Sequence, residues 1–144
     1  MALKVALIAL AEFVTCDAAN RLVIAGTMDT VHVAPVPGSP AVSPIGPLRL
    51  PKLHLVVIFT ASIADKSADV AFVVRHEDGD VVVKQDLGPI DFIMNPLGRP
   101  LRAQLIVVLD GLTVPGLGDY DVVVMIGDEV LATAPLYVDG PQAP

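Results

Sequence analysis

Residues 69–86 read DVAFVVRHEDGDVVVKQD, and this stretch decides the fold class. Apolar residues alternate with other residues on both sides of Asp78-Gly79, and period-2 alternation is typical of a half-buried β-strand. An Asp-Gly pair is favoured in the tight turn of a β-hairpin, because such turns need a backbone that glycine adopts at low cost. The sequence therefore predicts a hairpin made of strands 69–77 and 80–86.

The same alternation extends outward from this hairpin in both directions. Towards the N-terminus, residues 3–13 place Leu3, Val5, Leu7, Ala9, Ala11 and Phe13 on one face of a strand. Towards the C-terminus, further strands are predicted at 101–112, 120–126 and 129–138. Together with 21–33 and 52–61, the pattern predicts about eight strands in an all-β, antiparallel β-sandwich.

Composition supports a β fold in a single domain. The chain has 144 residues, of which 53% are apolar and 17% charged, and it contains 23 Val, 13 Pro and 11 Gly. Valine favours strands, whereas proline and glycine interrupt helices. We expect one domain over residues 1–138 and a flexible tail over 139–144.

Residues 34–51 carry six prolines: Pro35, Pro37, Pro40, Pro44, Pro47 and Pro51. Proline has no N–H for a central ladder, so this stretch is predicted to be a stiff loop or arm. A long loop in a compact domain is usually functional or a linker. Two placements stay open, since the loop either covers an apolar face of the sandwich or reaches a neighbouring molecule.

The N-terminal stretch is apolar, as in a signal peptide, but its charge pattern argues for a buried strand. Lys4 is the one basic residue before the apolar run, and Glu12 interrupts it. We therefore expect a protein that is not secreted by a cleaved signal peptide and that resides in the cytoplasm or in a virion.

The formal net charge is −7, with nine Lys and Arg residues scattered along the chain. Binding to nucleic acid or to an anionic membrane needs clustered basic residues, so neither partner is expected.

Candidate chemical sites are weak. His32, His54 and His76 lack the local pairing of zinc ligands, and the acidic stretch 77–80 coincides with the predicted turn. Cys16 has no partner for a disulfide. No nucleophile and base are paired in the sequence, so we expect no metal, no cofactor and no enzymatic activity.

The second half of the chain reads LRAQLIVVLDGLTVPGLGDYDVVVMIGDEVLATAPLYV over residues 101–138. With CDAANRLVIAGTMDTV at 16–31 and EDGDVV at 77–82, it resembles a family of uncharacterised bacterial and phage-encoded domains of unknown function. That resemblance implies an immunoglobulin-like β-sandwich, in which the Gly118-Asp119-Tyr120 sequence places a tyrosine at a corner. It implies no catalytic residues.

Several strands carry apolar residues on the face expected to be wet. These residues form the predicted interface: Val56, Ile58, Ile106, Val108, Val123, Met125 and Leu131. A sandwich needs one apolar face per sheet, so an apolar second face is typical of a contact surface or of a face covered by a loop.

The preferred function is therefore a non-enzymatic structural or interaction module. We expect it to form a homo-oligomer or to dock on a larger protein assembly, with phage capsid decoration or assembly as one form of this role. The alternative is a small-ligand or carbohydrate-binding sandwich. This alternative is disfavoured because the chain has no Trp and only Tyr120 and Tyr137 as tyrosines.

Overall fold

The structure is a computed structural model that describes residues 3–18, 21–32, 45–61, 67–91 and 101–140. These ranges contain eleven β-strands and no helix. The predicted all-β class is confirmed, whereas the expected number of eight strands is too low. The three additional strands are short, and they lie where a polar break, prolines or glycines hide the alternation: 30–32, 45–49 and 113–116.

The first large sheet has four antiparallel strands in the order β2-β1-β5-β8. Its strands are β1 (Lys4–Cys16), β2 (Leu22–Met28), β5 (Leu53–Ala61) and β8 (Leu101–Leu109). β1 hydrogen-bonds to β2 on one side and to β5 on the other, so the apolar N-terminal stretch is an inner strand of this sheet. Within the described ranges, no helix is long and apolar enough to cross a membrane.

The second large sheet has five strands in the order β3-β11-β10-β6-β7. Its strands are β3 (Thr30–His32), β6 (Ser67–His76), β7 (Val81–Asp91), β10 (Gly118–Ile126) and β11 (Glu129–Asp139). The pairing of β3 with β11 is parallel, and the other three pairings are antiparallel. β11 ends at Asp139, one residue after the predicted end of the domain at residue 138. Residues 141–144 of the predicted tail lie outside the described part of the chain.

A third, two-stranded sheet pairs β4 (Ile45–Arg49) with β9 (Thr113–Gly116). β4 lies within the stretch that was expected to be loop. Leu48 packs against the core and Leu50 is buried, so apolar burial holds this end of the stretch in place. Pro47 is accommodated because the pairing avoids the central ladders and shifts its register between Ile45 and Leu48. Residues 34–44 of the predicted arm lie outside the described residues.

One hydrophobic core lies between the two large sheets. Large buried side chains from both sheets belong to it: Leu10, Leu53, Leu55, Phe59, Phe72, Val74, Tyr120 and Leu136. Tyr120 is the largest of these, and its hydroxyl donates a 2.7 Å hydrogen bond to the backbone oxygen of Gly116.

The predicted hairpin is confirmed as the β6–β7 connection. Its turn spans residues 77–80, and Gly79 has a φ of +98°, which suits glycine. The N–H of Asp80 donates to Oδ1 of Asp78 (2.9 Å), and the N–H of His76 donates to the backbone oxygen of Asp80 (2.8 Å). Local hydrogen bonds therefore close this turn, as the Asp-Gly pair predicts.

β-Bulges change which side chains face the core. In β1, Val5 pairs with Phe59 and Leu7 pairs with Ile58, so Ala6 is an extra residue. In β11, Leu131 is the extra residue between the positions that pair with Val124 and Met125. Each extra residue reverses the alternation beyond it, and this effect decides the composition of the outer faces.

Candidate interaction surface

The outer face of the four-stranded sheet is apolar. β5 directs Leu53, Leu55 and Val57 into the core, so the alternate residues His54, Val56 and Ile58 lie on the opposite side of the sheet. The cross-strand register then identifies the rest of this surface, which we call the outer apolar face. Its members are Lys4, Leu7, Ala9, Ala11, Phe13, Thr15, Val23, Ala25, Thr27, His54, Val56, Ile58, Thr60, Arg102, Gln104, Ile106 and Val108.

Two of these seventeen residues are charged, and both of them, Lys4 and Arg102, pair with Thr60 at one end of the face. Eight large apolar side chains are exposed within the described residues, and five of them belong to this face: Leu7, Phe13, Val23, Ile106 and Val108. The exposed fraction reaches 54% for Phe13 and 51% for Val108. At the centre of the face, Ala11 and Val56 are fully buried. The surface therefore combines a packed centre with an exposed apolar rim.

The bulge at Ala6 explains how β1 contributes to this face. Leu3 is buried and Val5 packs against the core before the bulge, whereas Ile8 and Leu10 take the core positions after it. The set Leu3 to Phe13 that simple alternation places on one face is thereby divided. Its later members point away from the core, where Leu7 and Phe13 are exposed.

His54 is the histidine of this face. It lies opposite Ala11 on one neighbouring strand and Val108 on the other. Its Nδ1 atom is buried and has no hydrogen-bond partner. Its two cross-strand neighbours are apolar and supply no acid or base that could exchange a proton with it. We therefore interpret His54 as a packing residue of this face.

The structure brings together four of the seven predicted interface residues. Val56 pairs with Ile106 across β5 and β8, Val108 lies two residues along the strand from Ile106, and Ile58 lies two residues from Val56. Ile106 and Val108 are exposed and Ile58 is half-buried, but Val56 is fully buried. Val56 therefore supports this surface from within and is not accessible to a partner.

The other three predicted residues lie elsewhere. Val123 and Met125 are on the outer face of the five-stranded sheet, where Val123 is fully buried and Met125 half-buried. Leu131 packs against the core instead of facing outward, because it is the bulge residue of β11. The expected single patch is thus divided between two opposite faces and the interior.

Three exposed members of the outer apolar face were missed by sequence reasoning, namely Leu7, Phe13 and Val23. The sequence of β1 could have indicated Leu7 and Phe13, because this strand carries apolar residues on both of its faces, with Ile8 and Leu10 on the other one. A strand with two apolar faces in an antiparallel sheet indicates either a buried position or a contact surface. Here the core takes one set and the outer face takes the other.

The outer face of the five-stranded sheet has a different character. Charged residues surround its buried Val73 and Val123, and they are Asp69, Arg75, Lys84, Asp86 and Asp121. This is the ordinary solvent-facing composition of an antiparallel sheet. The contrast between the two outer faces therefore makes the four-stranded sheet the candidate interaction surface.

The turn at His76 is the clearest polar cluster. Nδ1 of His76 lies 3.1 Å from Oδ1 of Asp78, and the His76 ring meets Tyr120 edge-on with centroids 5.1 Å apart. The hydrogen bond from the N–H of Asp80, followed by the effect of His76, holds the pKa of Asp78 below its ordinary value. Burial raises the pKa of Tyr120. These contacts close a turn and a corner of the fold.

The predicted absence of a metal site stays a prediction, and the structure gives the positions of the residues concerned. His54 and His76 lie on different sheets, and the side chain of His32 is outside the described set. Across the described residues, no group of three or more His, Cys, Asp or Glu side chains is placed to hold a metal ion. Cys16 is exposed at the end of β1.

A comparison with curated proteins finds no match to this chain. A family model matches residues 6–139, which extend from the third residue of β1 to the end of β11. By that match, the chain belongs to a family of unknown function, DUF6941.

Proposed function

We propose that this protein is a non-enzymatic interaction module that self-associates or docks on a larger assembly through the outer apolar face. The observation that carries the proposal is the position of five exposed apolar side chains on one face, whose two charged residues lie together at one end. An antiparallel sheet normally leaves one face to water, and contiguous exposed apolar patches mark contact sites.

The energetics favour contact over solvation. Fully burying one Val, Leu, Ile or Phe side chain contributes about 1.5–3 kcal/mol relative to leaving it exposed. Phe13 and Val108 retain about half of their surface in the monomer, so a partner gains a substantial part of that free energy at each position. Lys4 and Arg102 lie towards the opposite ends of their strands from Phe13 and Val108, so a partner that covers these two apolar residues leaves the charges hydrated.

We also propose that the sandwich is of the immunoglobulin type. The bond from the Tyr120 hydroxyl to the backbone oxygen four residues upstream supports this, because a tyrosine corner of that kind occurs in such folds. A place on a phage or virus-like particle is one concrete form of the docking role, and it rests on analogy at the level of the fold.

The alternative, a small-ligand or carbohydrate-binding sandwich, receives less support. Stacking on a sugar needs an exposed aromatic ring at the site. Tyr120 is buried and its hydroxyl is engaged, while Tyr137 lies on the opposite sheet from Phe13. Among the described residues, the exposed rings of Phe13 and Tyr137 therefore lie on opposite outer faces and do not form one platform.

The test is a double variant confined to β1, Leu7→Thr with Phe13→Thr. Threonine favours strands, so the sheet is expected to persist while the face becomes polar. Val130→Thr with Tyr137→Thr is the matched control, because both residues are exposed and lie on β11. Sedimentation velocity over a range of concentrations measures self-association, and photocrosslinking from position 13 or position 130 maps contacts.

We expect the β1 variant to lose the association that uses the outer apolar face and the control to keep it, with crosslinks formed from position 13 and not from position 130. A docking partner is recognised when the position-13 crosslink contains one defined protein and the β1 variant no longer binds that purified protein. Equal crosslinking from both positions, or a β1 variant that associates like the wild type, contradicts the proposal.

A further inference from the structure

β8 is an edge strand with an unusually regular backbone. Among the described strands it pairs with β5 alone, through nine consecutive residue pairs without a register shift. In an antiparallel ladder, alternate residues direct their N–H and C=O groups towards the neighbour. The remaining residues of β8 therefore direct theirs away from β5, at the edge of the sheet.

Most of β8 also lacks the charges, prolines and bulges that protect sheet edges. Residues 103–109 read AQLIVVL and contain no charge, proline or glycine. β7, an edge of the other large sheet, carries Lys84, Asp86 and Pro89 and has extra residues at Val82 and Leu87. Charges, prolines and bulges prevent edge-to-edge pairing, and a long, regular, apolar edge favours it.

We propose that β8 pairs in antiparallel orientation with β8 of a second copy of this chain, with Ile106 at the two-fold axis. This inference rests on the proposed self-association and adds a contact along the sheet edge to the contact through the outer apolar face. The product is a continuous eight-stranded sheet across two copies, and the contact is the same patch on both, as two-fold symmetry requires. The two outer apolar faces then lie side by side as one larger surface.

The charges at the ends of the strand select this register. Arg102 precedes the uncharged run and Asp110 follows it. Pairing centred on residue 106 places position 102 of one copy opposite position 110 of the other, at both ends of the contact. Opposite charges at facing positions stabilise a strand pair, and like charges destabilise it.

The apolar positions agree with this register. On the core side of the sheet, Ala103 faces Leu109 and Leu105 faces Val107 of the second copy. On the outer side, Ile106 faces its own counterpart, and Gln104 faces Val108. Ile106 and Val108 are exposed in the single chain, so pairing covers apolar surface as well as the unpaired backbone edge.

The first experiment is a charge exchange, with dimer dissociation followed by sedimentation velocity. Asp110→Arg alone and Arg102→Asp alone each place like charges at both ends, and we expect each to weaken the dimer about tenfold. The double variant restores opposite charges and is expected to regain nearly all of the affinity. Single variants that dimerise like the wild type, or a double variant as weak as the singles, overturn the register.

The second experiment reads the register directly and does not depend on charge. In a Cys16→Ser background, Ile106→Cys is expected to form a disulfide across the two-fold axis under mild oxidation. Val108→Cys is the matched control, since it is more exposed and faces Gln104 of the second copy instead of itself. A monomer at all concentrations, or stronger crosslinking from position 108 than from position 106, overturns the proposal.

The β1 double variant separates this inference from the proposed function. β1 and β8 are divided by β5, so Leu7→Thr with Phe13→Thr leaves the β8 edge intact. If the outer apolar face has no role, that variant behaves like the wild type while Ile106→Cys still crosslinks. If the edge pairing is absent, Ile106→Cys fails to crosslink whatever the β1 variant does.

Discussion

The hydroxyl of Tyr120 donates a 2.7 Å hydrogen bond to the backbone oxygen of Gly116, and the Tyr120 side chain is only 2% exposed. This bond joins the start of β10 to the end of β9, the strand that pairs with β4. One buried side chain thereby holds the small two-stranded sheet against the core. Its contribution to stability is open to direct measurement.

Tyr120→Phe removes the hydroxyl and keeps the ring. The buried oxygen of Gly116 loses its partner, so we expect the free energy of unfolding to fall by about 1–3 kcal/mol. Urea denaturation measures the change, and Tyr137→Phe on the exposed side of β11 is the control. Equal effects of the two substitutions would show that the Tyr120 bond is unimportant.

Alkaline pH is expected to act through the same residue. Burial raises the pKa of Tyr120 above its ordinary value of 10.0, so the folded state retains the proton that the unfolded state loses. This contribution to stability is fully present below pH 10.0 and is lost as the pH rises through the folded-state pKa. Thermal unfolding of the wild type and of Tyr120→Phe from neutral to alkaline pH tests this prediction. The variant has no hydroxyl to ionise at this position, so its stability should not show this alkaline decrease.

Asp78 provides the acidic counterpart. The N–H of Asp80 and the nearby His76 lower the pKa of the Asp78 carboxyl from its ordinary value of 3.8. Its contribution to stability is present above pH 3.8 and is lost as the pH falls through the lower, folded-state pKa. A carboxyl NMR titration should place the Asp78 midpoint below 3.8, and His76→Ala should move it only part of the way back. A midpoint at 3.8 in the wild type contradicts the structure.

Val56 and Val108 share the outer apolar face and differ in burial. Val56→Thr places a hydroxyl at a position with no exposed surface, and we expect it to cost about 1–3 kcal/mol of stability. Val108→Thr places the same group where half of the side chain is exposed, and it should change stability by less than about 0.5 kcal/mol. Chemical denaturation of the two variants compares them, and equal losses would contradict the assigned burial.

Leu131 and Val130 are adjacent residues with opposite surroundings. Leu131 packs against the core because of the bulge in β11, whereas Val130 is exposed. We expect Leu131→Asp to destabilise the fold by more than about 2 kcal/mol, since it places an unpaired charge against apolar neighbours. Val130→Asp should be nearly neutral. A reversed order of the two effects would favour simple alternation along this strand.

Much of the fold follows from local pattern, and the β6–β7 hairpin shows why. Alternation assigns its strands, and the Asp78-Gly79 pair supplies the backbone and side-chain hydrogen bonds of the turn. β4 shows the opposite case. Pro47 within it argues against a strand, and the packing of Leu48 and Leu50 together with the pairing with β9 holds it in place.

The outer apolar face was likewise predictable from the sequence only in part. The sequence by itself determined that there is more apolar surface than one core needs, and it placed Ile106 and Val108 on an outer face. Tertiary structure alone decided that Leu7 and Phe13 join them and that Leu131 does not. The physical reason is the β-bulge, since one extra residue at Ala6 or at Leu131 reverses every side chain beyond it, and partner strands determine where that residue lies.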